Sequence, residues 1–182
     1  VAGQHHLLDD GKVFRRLIES GTLPNLIFYG PSGVGKTTVA KIIAANTGKK
    51  LYYLNATMAS TADIKEIVND IGTIDSANGI LLYLDEIQYF NKKQQQTLLE
   101  YIENGDITLI ASTTENPYFY VYNAILSRST VFEFKTLDPA DIEIFIKRAF
   151  DFLANENSAD LVLEKDVLKI ISYAGIKNAP IN

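Results

Sequence analysis

Gly30-Pro31-Ser32-Gly33-Val34-Gly35-Lys36-Thr37 fits the phosphate-loop pattern G-x-x-x-x-G-K-[ST], and its neighbours make the match informative. Leu26-Ile27-Phe28-Tyr29 before it is an apolar run of strand length. After it, Thr37 to Asn46 carries helical spacing, with Val39, Ile42 and Ile43 on one face and Gly48 as the stop. A phosphate chain needs this order of strand, glycine loop and helix. Glycines let the backbone curl so that successive N–H groups converge on an anion. The helix adds free N–H groups and the positive end of its dipole. Lys36 is expected to reach the β- and γ-phosphates of ATP, and the Thr37 hydroxyl to ligate Mg²⁺. The stretch from Gly30 through Thr38 is the candidate nucleotide cradle.

A second feature answers this loop. Ile80-Leu81-Leu82-Tyr83-Leu84 is a continuous apolar run, as in a strand covered on both faces of a parallel sheet, and it ends in Asp85-Glu86. Two carboxylates at the end of a buried strand are costly unless they serve chemistry. Ligands of α/β sheets gather at the carboxyl ends of strands. Asp85, on a strand neighbouring the loop, is read as a holder of the Mg²⁺ shell. Glu86 is read as the group that polarises attacking water. Ile107-Thr108-Leu109-Ile110-Ala111 is another buried strand, and its tip, Ser112-Thr113-Thr114, would put a polar residue between metal and water.

Further elements fill in an α/β pattern. Val13, Phe14, Leu17 and Ile18 recur at helical spacing before Gly21. Leu51-Tyr52-Tyr53-Leu54 and Val131-Phe132-Glu133-Phe134 read as strands. Thr61 to Ile71 reads as a helix with Ile64, Ile67, Val68 and Ile71 inward. Asn91 caps a helix with Gln94 at its third position, and Leu98, Leu99 and Ile102 face in. Asp138-Pro139-Ala140-Asp141 starts a helix whose Ile142, Phe145, Ile146, Ala149 and Phe150 are expected to face inward, and Glu164 to Ala174 follows as another. The fold is therefore expected to be a parallel α/β nucleotide-binding domain over 1–137, followed by part of a small helical lid over 138–182.

Composition narrows the function classes. The 182 residues carry a net charge of −5 and no cysteine, which excludes disulfides and zinc–thiolate sites and suits a cytoplasmic location. The acidic balance argues against a broad basic face for duplex DNA but leaves room for a local strip. No apolar run approaches the ~18 residues of a membrane span, and no leader is evident. The chain stops at Asn182 inside helical-looking sequence, so a longer protein is expected.

Three features keep two readings each. Tyr118, Phe119, Tyr120 and Tyr122 either pack against neighbouring elements or stack on single-stranded bases. Lys92 and Lys93, at a helix start where positive charge is unfavourable, either form a solvated face or touch phosphate. His5 and His6 point about 100° apart on a helix, which disfavours a shared metal. They are read as solvated or as neighbours of the nucleotide.

Four stretches together resemble AAA+ ATPases of the clamp-loader group, and more closely the replication-associated recombination protein A family, which includes the Werner-helicase-interacting ATPase. They are Gly3-Gln4-His5-His6-Leu7-Leu8, Ile18 to Pro24 leading into the loop, Asp85-Glu86-Ile87-Gln88-Tyr89-Phe90-Asn91-Lys92-Lys93-Gln94-Gln95, and Gly105 through Thr113-Thr114-Glu115-Asn116-Pro117 to Leu126-Ser127-Arg128. The resemblance covers roughly 1–137 and implies roles beyond the motifs. Thr114 would be the sensor-1 residue, and Arg128 an arginine finger for a neighbouring subunit's γ-phosphate. Val1, Gln4 and His6 would border the adenine. It also implies DNA-dependent ATPase work in replication-fork maintenance and recombination, in a homo-oligomer (a tetramer or ring), with a single-stranded-DNA-binding protein as a partner. A branch-migration motor, a clamp-loader subunit, and a nucleotide-gated assembly module with little turnover are the rivals. Two departures stand out. Gln88 replaces a histidine usual in relatives, a mild change by expectation. The sensor-2 arginine falls on Asn178, with Lys177 beside it.

Overall fold

A computed structural model describes residues 3–20 and 23–157. Val1, the helix expected at 164–174, Lys177 and Asn178 lie outside the described residues. The five apolar runs become strands β1 (Asn25–Tyr29), β2 (Lys50–Asn55), β3 (Ile80–Asp85), β4 (Ile107–Thr113) and β5 (Ser129–Glu133). They pair in the order β2-β3-β4-β1-β5, every pair parallel. Parallel neighbours require crossovers. α3 (Lys36–Thr47), α4 (Thr61–Asn69), α5 (Lys92–Glu103) and the short α6 (Pro117–Tyr120) and α7 (Asn123–Leu126) supply them in turn. α1 (His5–Leu8) and α2 (Val13–Glu19) precede the sheet, and α8 (Pro139–Asn157) follows it.

The strand order corrects one expectation. β3 does not adjoin β1, because β4 lies between them, with Tyr29 level with Thr113 and Leu84 level with Ala111. After β1 the chain crosses to the far edge at β2 and works back, so β1 sits where the order reverses. That is where an open α/β sheet leaves a crevice.

Side-chain alternation splits the strands between two cores. Ile80, Leu82 and Leu84 of β3 join Ile27, Leu109 and Ala111 under α4, α5 and α7. Leu81 and Tyr83 join Leu26, Phe28 and Ile110 under α2 and α3. The expected capping box holds, with Gln94 N–H donating to Asn91 Oδ1 at 3.0 Å and Asn91 N–H to Gln94 Oε1 at 2.9 Å. Several inward assignments fail. Ile42, grouped with Val39 and Ile43 on one face, lies on the solvent side of α3, because Ile43 and Val39 already fill the facing layer. On α8, Phe145 and Ala149 are exposed, and they line a cavity beside the phosphate loop rather than packing on the sheet.

The amino-terminal segment is tied down by polar contacts. Gln4 is buried in a left-handed conformation (φ 57°). Its Nε2 donates to Lys135 O at 2.7 Å and Val34 O at 3.3 Å, and its Oε1 accepts from Lys135 N–H at 3.0 Å. His6 Nε2 lies 2.8 Å from Glu133 O. His5 bridges Asp9 (3.0 Å) and Asp141 of α8 (3.1 Å). Asp9 and then Asp141 raise the His5 pKa above its ordinary 6.5. A raised histidine pKa contributes stability that is complete below the unfolded value and lost as pH rises through the folded one. His5→Ala is therefore expected to lower the melting temperature slightly below pH 6.5 and not at alkaline pH. Thermal unfolding of both proteins across that range checks it, and a difference independent of pH would refute the ionic bridge.

Candidate nucleotide site

The loop after β1 is held at a point where a side chain cannot fit. Gly30 has φ 140°, and a Cβ there would stand 2.0 Å from Phe134 O. Its N–H donates to Thr113 O at 3.2 Å, which fixes the loop's root against β4. Gly35, at φ 100°, is the left-handed residue from which α3 starts. Lys36 is buried and folds back across the loop, donating to Gly30 O at 2.6 Å and Pro31 O at 2.7 Å. Burial pushes its pKa down, and the nearby Glu86 and Asp85 charges oppose that shift.

Asp85 reaches the same place from β3. Tyr83 and Asp85 are two residues apart on a strand and so share a face, the one covered by α3. Tyr83 Oη lies 3.0 Å from Thr37 Oγ1 and donates to Asp85 Oδ1 at 3.4 Å. Burial pushes the Tyr83 phenol up to about 12, so it stays protonated at neutral pH. Ser112 Oγ also donates to Asp85 Oδ1, and Tyr53 Oη to Oδ2 at 3.0 Å. Tyr53 and Tyr83 stack, with ring centroids 5.5 Å apart. Sequence reasoning missed Tyr83 and Tyr53, while Ser112 belongs to the strand tip expected to put a polar residue near the metal. The legible signal was one tyrosine inside an otherwise aliphatic buried strand, two positions before its terminal acid.

Glu86 adopts a left-handed backbone (φ 56°), and only Gln4 shares that trait among the described non-glycine residues. Such a conformation costs about 1–3 kcal/mol and persists where the surroundings enforce it. Its Oε2 accepts from Gln88 Nε2 at 2.5 Å and Thr114 Oγ1 at 3.3 Å. Thr114, expected as the sensor residue, thus stands on the carboxylate expected to handle water.

Two cavities meet on the loop. One, of about 310 Å³, is lined by Ser32, Lys36, Thr37, Asp85 and Glu86, among others. The other, of about 530 Å³, has the apolar walls Val34, Leu137, Ile142 and Phe145. Gly33, Gly35 and Thr38 line both. Pro31 is half-buried behind them. Gln4 and His6 line neither cavity, being spent on backbone carbonyls at the loop's rear. Arg128 lies at the surface, with Nη2 2.7 Å from Glu103 Oε1 and Nη1 donating to Ala124 O at 2.9 Å. Tyr118, Phe119 and Tyr120 are exposed, against the packing reading, while Tyr122 packs under Lys92 at 5.4 Å. Lys92 and Lys93 are both exposed.

The donor set fits Mg²⁺. A hydroxyl and a carboxylate oxygen, held to one phenol, are hard ligands of the kind that ion takes alongside phosphates. Among the described residues no cluster of three His, Asp or Glu holds a metal unaided.

Comparison with known proteins fits this geometry. Residues 26–137 match the ATPase family associated with various cellular activities, AAA. The chain belongs to the AAA family of ATPases. This AAA domain is 42% identical over 154 residues to replication-associated recombination protein A of Coxiella burnetii, covering 85% of the chain and 34% of that protein. It is 37% identical over 172 residues to the protein of that name from Escherichia coli K12, covering 93% and 38%. It is 37% identical over 171 residues to ATPase WRNIP1 of Dictyostelium discoideum, covering 93% and 20%. The AAA domain thus spans between a fifth and two-fifths of these curated relatives. Its fold is that of Thermotoga maritima RuvB, a Holliday junction branch migration motor, at TM-score 0.73 and 22% identity, covering 94% of this chain and 56% of that one.

Replacing Tyr83 by Phe removes the hydroxyl between Thr37 and Asp85 and keeps the ring. It is expected to lower stability by about 1 kcal/mol and to weaken nucleotide binding only when Mg²⁺ is present. Titrations with and without the ion check this, and equal weakening in both would place Tyr83 outside the metal site.

Proposed function

We propose that this domain binds ATP with Mg²⁺ and hydrolyses it as the motor domain of a DNA-dependent ATPase. The work it drives is replication-fork maintenance and recombination. The observation that carries the reading is the meeting of Lys36, Thr37, Asp85 and Glu86 on one cavity from two separate strand ends. The adjoining apolar cavity is of a size and lining suited to a purine nucleoside.

Each residue has a task set by its surroundings. Lys36 exchanges two carbonyl partners for phosphate oxygens, which form stronger charge-assisted bonds. Backbone N–H groups of the loop and of α3's first turn cradle the phosphates. Thr37 and Asp85 would hold Mg²⁺, which neutralises charge on the phosphates. Glu86 accepts a proton from, or polarises, the attacking water while Thr114 fixes its orientation.

Arg128 serves a neighbouring subunit in a homo-oligomer, a tetramer or ring. For this it must leave Glu103, and a surface ion pair of this kind is weak. The rings of Tyr118, Phe119 and Tyr120 and the side chains of Lys92 and Lys93 are all exposed and offer stacking and charge for single-stranded DNA. Residues 138–182 belong to a helical lid, the protein is cytoplasmic, and a single-stranded-DNA-binding protein is a partner. The reading rests on the likeness to replication-associated recombination protein A and on the residues above. A nucleotide-gated assembly module with little turnover is the second reading, favoured by Arg128 being engaged within its own chain.

Lys36→Ala is expected to abolish nucleotide binding, and Glu86→Gln to keep binding and stop turnover. Arg128→Ala should spare binding and reduce hydrolysis by roughly 10³-fold or more, in assemblies only. ATPase rates of the full-length protein against its concentration, with single-stranded or four-way-junction DNA, check all three. Turnover that is first order in dilute protein and indifferent to Arg128 would contradict the subunit role.

A further inference from the structure

The turn after β3 holds a polar arrangement that hydrolysis as described does not account for. Here the left-handed backbone of Glu86 folds Ile87–Tyr89 into a tight turn that brings the Gln88 side chain back onto the Glu86 carboxylate. Ile87 and Phe90, both buried, pin that turn to the core.

A carboxylate only accepts hydrogen bonds, so the NH₂ end of the Gln88 amide must face it. Nε2 does so at 2.5 Å from Glu86 Oε2 and 3.5 Å from Thr114 Oγ1. The other end is then stranded. Gln88 Oε1 is buried with no hydrogen-bond partner among the described residues, the one such side-chain atom found there. Burying an unmatched acceptor is unfavourable, and such groups mark places kept for something other than stability. Two unfavourable features, the backbone at Glu86 and the orphaned oxygen at Gln88, serve a single contact.

That contact is one-sided. Gln88 and Thr114 both bind Oε2, and Glu86 Oε1 has no hydrogen bond among the described residues. Glu86 lines the phosphate cavity, so one oxygen is anchored and the other is left for water.

We infer that Gln88 is a positioning residue for Glu86, one that fixes the carboxylate through Oε2 so that Oε1 meets the attacking water. It rests on the hydrolysis reading of the same site and extends it to a residue that lines neither cavity.

The test uses full-length assembled protein and four variants. Gln88→Met keeps length and removes the donor, Gln88→His keeps an N–H donor, and Glu86→Gln is made alone and with Gln88→Met. Gln88→Met is expected to lower kcat about 10- to 100-fold, with KM and ATP affinity within about twofold of the parent. Gln88→His should recover most of that loss. In single turnover, adding Gln88→Met to Glu86→Gln should change nothing further, because Gln88 acts through Glu86. The inference is overturned if Gln88→Met leaves kcat unchanged, if ATP affinity falls in step with kcat, if Gln88→His loses as much, or if the double variant is slower still. Parental turnover by Glu86→Gln alone would instead remove the hydrolysis reading, and this inference with it.

Discussion

One phenol joins the two halves of the site. Tyr83 Oη lies between Thr37, at the start of α3, and Asp85, at the end of β3, although the strands that lead to them are separated by β4. The parallel sheet brings those strand ends to one edge. A long side chain on the α3 face of β3, Tyr83, closes the gap. The hydroxyl is buried and keeps its proton, and it holds the Thr37 and Asp85 oxygens in place.

The loop obeys a harsher constraint. Gly30 runs so close under the Phe134 carbonyl that any side chain would collide. The chain leaving β5 therefore braces the loop from behind, and Gln4 adds a second brace through Val34 and Lys135. Lys36 meanwhile occupies the loop's own carbonyls. The resting loop is thus internally satisfied, and on the proposed reading phosphate oxygens would displace bonds that already exist. On that reading stability and function draw on the same contacts, since what keeps the loop folded is what the ligand would replace.

What could be read from the sequence was what local chemistry dictates. The glycine loop, the Asn91–Gln94 cap and the Asp85-Glu86 ending are written in consecutive residues, and each stands where its pattern placed it. What could not be read was set by long-range pairing. Nothing near residue 29 says that β4, some eighty residues on, will pair beside β1, so the strand that ends in Asp85 was expected next to the loop's own strand and instead lies one strand further away. Periodicity also marks which face of a helix is apolar without saying what meets it. Ile142, Phe145 and Ala149 of α8 line a cavity where a packed face was expected, and the rings of α6 face solvent, against the packing one of their two readings. The grip of Gln88 on Glu86 depends on a left-handed residue that is not glycine, and composition gives no sign of that.

A crystal structure of the full-length protein with Mg²⁺ and a non-hydrolysable ATP analogue tests the central claim most directly. The expected result has Lys36 Nζ on the β- and γ-phosphates, released from Gly30 O and Pro31 O, with the metal bound to Thr37 and close to Asp85. A nucleotide seated elsewhere, with Lys36 still bonded to the carbonyls of its own loop, would contradict it.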